Sequence, residues 1–235
     1  MNIGLAQYRF INGDIEYNLE QIEKACKFYG DKVDLLCFGE AFLQGFDGLS
    51  WDYEKDKDIA VSVYSNEIDR ICKMSKQYDV GIGIGYYEKS NDVIYSSYGI
   101  IINGELIHNY RRISPGWKEV LNDIHYQEGY EISSFELNDN KFMIALCGDL
   151  WEEDYLKYKS DCILLWPIYC NYSLYDWQNE EKEYALRAGE LSNKVLIVNP
   201  LSDDIVSHGG TFYIEEGKIV DKLPYDKENI LIVKV

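Results

Sequence analysis

The sequence predicts an α/β protein in which two β-sheets pack face to face with helices on the outside. Three observations carry this. Strand, helix, strand and helix, followed by hairpins, recur loosely in the two halves of the chain. Each half contains a short apolar run bounded by turn residues, which reads as a buried strand, and each run ends in a chemically active side chain. The first is Val33-Asp34-Leu35-Leu36-Cys37-Phe38-Gly39-Glu40, and the second is Lys141-Phe142-Met143-Ile144-Ala145-Leu146-Cys147-Gly148-Asp149-Leu150-Trp151. Finally, no linker or low-complexity stretch divides the chain, so residues 1–235 are expected to form one domain.

Taken in order, residues 2–8 form an apolar strand. Residues 18–29 carry Leu19, Ile22, Cys26 and Tyr29 at helical spacing, with Gly30 as a stop. Strand 33–38 follows and delivers Glu40. Residues 41–53 form a loop with Gly45, Asp47 and Gly48, in which Phe42, Phe46 and Trp51 either wall a pocket or anchor the loop. Residues 65–78 are a second amphipathic helix, with Ile68, Ile71, Cys72 and Ser75 on one side. The alternating glycines of 80–86 fit no phosphate-binding loop and mark a strand with small residues on one face. Strands 95–102 and 105–113 form a hairpin around Asn103-Gly104, the strongest short turn signal in the chain. Ser114-Pro115-Gly116 breaks the pattern, and 120–130 are irregular. Strands 133–137 and 142–147 turn at Asn138-Asp139-Asn140, and residues 154–158 form a short helix. Strand 162–166 is cut by Pro167. A long helix spans 175–192 with Trp177, Tyr184, Ala185, Ala188 and Leu191 inward. Strands 195–198, 210–214, 218–220 and 230–235 complete the chain.

Composition narrows the function. The chain is 46% hydrophobic and 27% charged, which suits a globular protein and not a disordered one. A net charge of -18 speaks against nucleic acid and against anionic membranes, both of which call for basic surface. The N-terminus has neither the basic nor the long apolar region of a signal peptide, and no stretch reaches transmembrane length. The six cysteines, Cys26, Cys37, Cys72, Cys147, Cys162 and Cys170, form no CxxC pairs; several fall on expected core faces. They read as reduced thiols of a cytoplasmic protein without a metal site.

A cysteine where a buried strand gives way to a loop is a candidate nucleophile, although a free cysteine by itself is ordinarily a small buried hydrophobe. Glu40, at the end of the matching strand, is the candidate base. A backbone N–H of the turn after the nucleophile, at Gly148, is the candidate oxyanion donor. Asp149 reads as structural, organising N–H groups in that turn. Trp117, Trp151, Trp166 and Tyr172 are candidates for the substrate pocket, with core packing as the competing role. His108, His125 and His208 raise a rival in which a histidine polarises Cys147.

These residues together resemble the nitrilase superfamily of carbon–nitrogen hydrolases. Ala6-Gln7 with Gly13-Asp14 and Asn18 is similar to that family's opening. Asp34 to Phe46 resembles its glutamate motif, with Gly39 where a proline is usual. Leu146-Cys147-Gly148-Asp149-Leu150-Trp151 resembles its cysteine motif, in the form found in glutaminase domains of NAD synthetases. Asp161–Pro167, Arg187–Asn199 and His208–Phe212 resemble later segments. The resemblance implies a four-layer αββα sandwich of two mixed sheets, paired into a dimer. It further implies a Glu–Lys–Cys triad acting on a small amide, ω-amide or N-carbamoyl compound, with a nitrile as the lesser alternative. The partners it implies are the amide substrate, water and a second copy of the chain, with no cofactor. The middle member departs from the pattern: in His108-Asn109-Tyr110-Arg111-Arg112-Ile113, Arg112 stands where lysine is usual. Either Lys118, re-aimed by Pro115-Gly116, or Arg112 itself supplies the cation, and the loop gives Lys118 the preference. A second, supporting glutamate has Asn122 or Asp123 at its place, with Glu119 and Glu128 nearby.

Overall fold

The computed structural model describes residues 1–120, 122–159, 161–203 and 206–235, the side chains of Asp154 and Leu156 apart. Leu121, within the stretch expected to be irregular, lies outside the described residues.

Period-two alternation decides which way each strand faces. In β1 (Asn2–Gln7) and β2 (Leu35–Cys37), Ile3, Leu5, Leu35 and Cys37 enter the core between the two sheets. Ala6, Leu36 and Phe38 point the other way, toward the helical layer. Both faces are covered, so the runs read as continuously apolar. The first sheet has the order β14-β1-β2-β3-β4-β5, using β3 (Gly81–Ser90), β4 (Val93–Ile102), β5 (Glu105–Arg111) and β14 (Asn229–Lys234). β1, β2 and β3 run parallel, and the remaining pairs are antiparallel.

The second sheet has the order β13-β12-β9-β8-β7-β6. Its strands are β6 (Ser134–Leu137), β7 (Asn140–Ile144), β8 (Ile163–Pro167), β9 (Lys194–Val198), β12 (Phe212–Glu215) and β13 (Lys218–Lys222). β7, β8 and β9 run parallel at its centre. A short pair, β10 (Leu201–Ser202) with β11 (Ser207–His208), lies outside both sheets.

Helices α1 (Ile15–Tyr29) and α3 (Asn66–Gln77) cover the first sheet through Leu19, Ile22, Ile68 and Ile71. Helix α4 (Leu174–Leu191) covers the second with Trp177, Tyr184, Ala185, Ala188 and Leu191, the five residues its sequence places inward. The expected four-layer α/β sandwich of two mixed sheets is therefore the observed one. Each helix starts at a polar cap: Asp14, Ser65 and Ser173 accept from N–H groups of the first turn. Each such cap contributes about 1 kcal/mol.

Several boundaries differ from expectation. Helix α1 begins at Ile15 and not at 18, because the Asp14 cap precedes the first apolar residue of its stripe. β3 runs on to Ser90, since it pairs with β4 along nearly its whole length. Pro167 ends β8 from within, where its missing N–H is tolerated. β12 starts at Phe212, after Gly210 takes a φ of 126°. A short helix, α2 (Tyr53–Asp56), closes the 41–53 loop.

Candidate active site

Each of the two buried strand ends gives way to a loop because the backbone beyond it is bent out of strand geometry. After β2, Gly39 meets Pro200: a Cβ there would lie 2.4 Å from the Pro200 ring. No larger residue fits, which accounts for glycine in place of a bulkier one. Glu40 N–H donates to the Ile168 carbonyl at 3.3 Å, tying it to the end of the other sheet's β8. Ala41 follows with a φ of 48°. After β7, Cys147 has a φ of 39° and opens a single 3₁₀ helix, Cys147–Trp151. Two non-glycine residues in the left-handed region, one at each strand end, mark strain held at a site.

Glu40 is fully buried and its two oxygens are treated differently. Oε1 accepts from Arg112 Nη1 at 2.7 Å and from Ser96 Oγ at 3.2 Å. Oε2 is buried and has no hydrogen-bond partner among the described residues. Burial pushes the Glu40 carboxyl above the usual carboxylate range, against the pull of Arg112.

Arg112, one residue past β5, is itself buried. Its Nε donates to Ser114 Oγ at 2.7 Å, its Nη1 holds Glu40, and its Nη2 lies against the turn after the cysteine. A Cβ at position 148 would sit 2.5 Å from Nη2 and 3.0 Å from Ser114 Oγ, so Gly148 is what admits the guanidinium. Burial works against the charge on Arg112, but the Glu40 and Asp149 carboxylates outweigh it and keep the group ionised.

Asp149 holds the frame together. Oδ1 accepts from the N–H groups of Ile113 and Ser114, at 3.1 and 2.8 Å. Oδ2 accepts from Leu146 N–H at 2.8 Å and Tyr110 Oη at 2.7 Å. One carboxylate thus clamps the cysteine turn to the segment that carries Arg112, which is the organising role read from its position. Burial raises its carboxyl, opposed by Arg112 and these donors.

Cys147 is half-buried. Its thiol donates to the Tyr169 carbonyl at 3.6 Å, and its own carbonyl accepts from Trp166 Nε1 at 2.8 Å. A hydrogen bond with the Cys170 thiol, then burial, push the Cys147 thiol well above its ordinary value, with Arg112 opposing. The resting Cys147 side chain is therefore a neutral thiol, and its ionisation would need a base to take the proton. Cys170 in turn contacts Tyr184 Oη at 3.1 Å and is fixed through its backbone by Asn199.

The other expected site residues fall as follows. Gly148 is the second residue of the 3₁₀ turn, where N–H groups have no partner within the helix. Trp166, Tyr172 and Trp151 gather around Tyr184 on the Cys147 side, with Trp166 stacked on it at 4.9 Å. Trp166 is buried and Trp151 is 43% exposed. Trp117 is buried in a different cluster, with Ala41, Tyr87 and Tyr126. Lys118 is not brought to Glu40. Its Nζ donates to the Tyr126 carbonyl at 2.7 Å and makes a 2.6 Å charge contact with Glu128 that is not aligned as a hydrogen bond. The loop after Pro115 turns this lysine toward 126–128, and the cation placed between the two strand ends is Arg112. The histidines are occupied at other places, His125 by Asp123 and Tyr53, His208 by Asp226, His108 beside Ser133 and Phe135.

Ser96, Ser114, Cys170 and Tyr184 were not assigned to the site from sequence. Ser114 alone carried a signal, standing two residues after a candidate cation at the end of a strand. Among the described residues no group of side chains suits a metal ion, and no helix is long and apolar enough to cross a membrane.

Residues 2–235 match the carbon–nitrogen hydrolase family model, and the chain belongs to that family. It is 25% identical over 248 residues to the glutamine-dependent NAD(+) synthetase of Aquifex aeolicus, covering 99% of this chain but 42% of that protein. The chain thus spans less than half the length of this curated relative. Among solved structures, a glutamine-dependent NAD+ synthetase from Acinetobacter baumannii superposes with a TM-score of 0.79 at 21% identity, over 98% of this chain and 44% of that one. A variant of the amidase from Nesterenkonia sp. AN1, with acrylamide added at its active-site cysteine, superposes with a TM-score of 0.80 at 13% identity. It is covered over 93% of its length, and this chain over 100%.

Proposed function

We propose that this member of the carbon–nitrogen hydrolase family cleaves a small, non-peptide amide through a Cys147 thioester. The likeness to a glutamine-dependent synthetase favours an ω-amide within that class. N-carbamoyl compounds follow, and then nitriles. The observation that carries the reading is the unpartnered, buried Oε2 of Glu40 beside a glutamate oxygen already held by Arg112. A desolvated carboxylate with one oxygen fixed and the other free is suited to receive a proton.

In this reading Glu40 takes the Cys147 proton as sulfur attacks the carbonyl carbon. The oxyanion that forms is held by the Gly148 N–H and by the positive field of Arg112. One such donor is worth roughly 3 kcal/mol of barrier. Glu40 returns the proton to the leaving nitrogen, which departs as ammonia and leaves the acyl group on sulfur. Glu40 then activates water, which attacks the thioester, releases the carboxylic acid and restores the thiol. In this reading Arg112 fills the cationic role, and not Lys118, to which the Pro115-Gly116 loop gave the preference in the sequence.

Ammonia release from a panel of ω-amides, simple amides, N-carbamoyl amino acids and nitriles tests this, with Cys147→Ala as control. Release that disappears in the variant supports the reading and names the substrate class. Release that persists removes Cys147 from the chemistry. A second reading is favoured by one observation, the Cys147 thiol held protonated and donating to a carbonyl: a lapsed member that binds a small molecule or partner without turnover. It predicts that no compound of the panel releases ammonia and that none leaves an acyl group on Cys147.

A further inference from the structure

We infer that Ser114 is a positioning residue which sets the rotation of the Arg112 guanidinium, and that the site is thereby built for arginine at this position. This deepens the reading above and rests on its assignment of Arg112 as the cation.

A guanidinium is a planar fork, and its orientation is fixed only when its nitrogens are held in different directions. Arg112 is held so. Nη1 is tied to Glu40 Oε1 at 2.7 Å, and Nε on the other edge is tied to Ser114 Oγ at 2.7 Å. With both edges fixed, Nη2 is turned toward the peptide of the nucleophile's turn, against Gly148. Without the Nε contact the plane could pivot about the Glu40 bond, and Nη2 would leave that turn.

Ser114 is equipped for the task. It is 2% exposed, and its own N–H donates to Asp149 Oδ1 at 2.8 Å. Asp149 also accepts the Leu146 N–H, just before Cys147. The same carboxylate therefore places both the serine that aims the cation and the turn at which the cation is aimed. An amine at position 112 could still donate to Ser114 Oγ, but it is a point charge with no plane for that contact to orient.

The test is a double-mutant cycle between Ser114→Ala and Arg112→Lys. It is read by the pH dependence of Cys147 alkylation with iodoacetamide, followed at that residue by peptide mass spectrometry. This needs no amide turnover, so a failure of the hydrolase reading does not obscure it. In the Arg112 background, Ser114→Ala is expected to move the alkylation midpoint upward and to slow labelling at neutral pH by about tenfold, one pKa unit. Ser114→Thr, which keeps the hydroxyl, should label within about threefold of wild type, since a retained hydrogen bond leaves the thiolate fraction nearly unchanged. In the Arg112→Lys background, Ser114→Ala should leave labelling within about twofold, because an ammonium has no orientation for the serine to set. Equal slowing in both backgrounds, or none in either, overturns the proposal, because a purely structural serine acts without regard to residue 112. The wild-type protein supplies a check that does not depend on any variant folding. The Arg112 Nε–H, sealed on Ser114 Oγ, should give a slowly exchanging guanidinium resonance in nitrogen-15 spectra. Its exchange at the rate of a solvent-exposed arginine would also overturn the proposal.

Discussion

Adding one methyl group at position 148 should separate the stability of the fold from the power of the site. In Gly148→Ala the new Cβ falls 2.5 Å from Arg112 Nη2 and 3.0 Å from Ser114 Oγ. An ordinary contact begins near 3.4 Å, so the guanidinium must retreat by about 1 Å. It has little freedom to do so, because Nη1 and Nε are each held by a 2.7 Å hydrogen bond. The retreat breaks or lengthens one of these. Overpacking of this kind costs about 1–3 kcal/mol of stability. A displacement of about 1 Å in a catalytic group costs on the order of 100-fold in rate. Ammonia release under saturating substrate should therefore drop about 100-fold, while the melting temperature moves by no more than about 10 °C for a chain of this size. The reasoning is refuted by a variant that melts like wild type and retains kcat within twofold. Such a result would mean that the guanidinium moves freely, or that its position is irrelevant to the chemistry.

Other outcomes follow from the same geometry. Burial pushes Glu88 up, but hydrogen bonds from Arg111, Ser97 and Asn109 outweigh it and hold its carboxyl below the usual range. A lowered carboxyl stabilises the fold above its unfolded pKa, and that contribution is lost as pH falls through the folded value. Glu88→Gln should thus cost about 3 kcal/mol in denaturant melts at pH 7. The difference from wild type should shrink as the pH is taken down through the carboxylate range; a constant difference would contradict the assignment. Gly39→Ala drives a methyl into the Pro200 ring and should lower stability by about 1–3 kcal/mol, with activity falling further because Glu40 is the next residue. Asp149→Asn leaves one acceptor oxygen where two now serve four donors. It should cost about 3 kcal/mol, and wild-type thermal stability in that variant would exclude the clamp.

Much of this was legible in the chain because the signals were local. Period-two and helical spacing predict the layers, and Asn103-Gly104 marks its hairpin with φ values of 52° and 84°. Abrupt ends to apolar runs identify Glu40 and Cys147. The identity of the cation was not local. Lys118 and Arg112 are close in sequence, and only the path of the 114–120 loop decides which of them faces Glu40. That path depends on a long-range contact, Asp149 to Ser114, and on the ties of Lys118 to Tyr126 and Glu128 across the loop. The surroundings of Trp117 were not legible for the same reason, since its neighbours Trp51, Tyr87 and Tyr126 come from three separate segments. Cys170 and Tyr184 read as core residues by composition, and both are buried, yet the Cys170 thiol also bears on the ionisation of Cys147.

The most direct test of the account is to stop the reaction in acid during turnover of the best amide from the panel and weigh the protein. The account predicts an acyl group of the substrate's mass on the peptide carrying Cys147, absent in Cys147→Ala and accumulating in a variant slowed at the water step. Ammonia released at the full rate with no acyl group on that cysteine at any time point, and undiminished by its replacement, would contradict it.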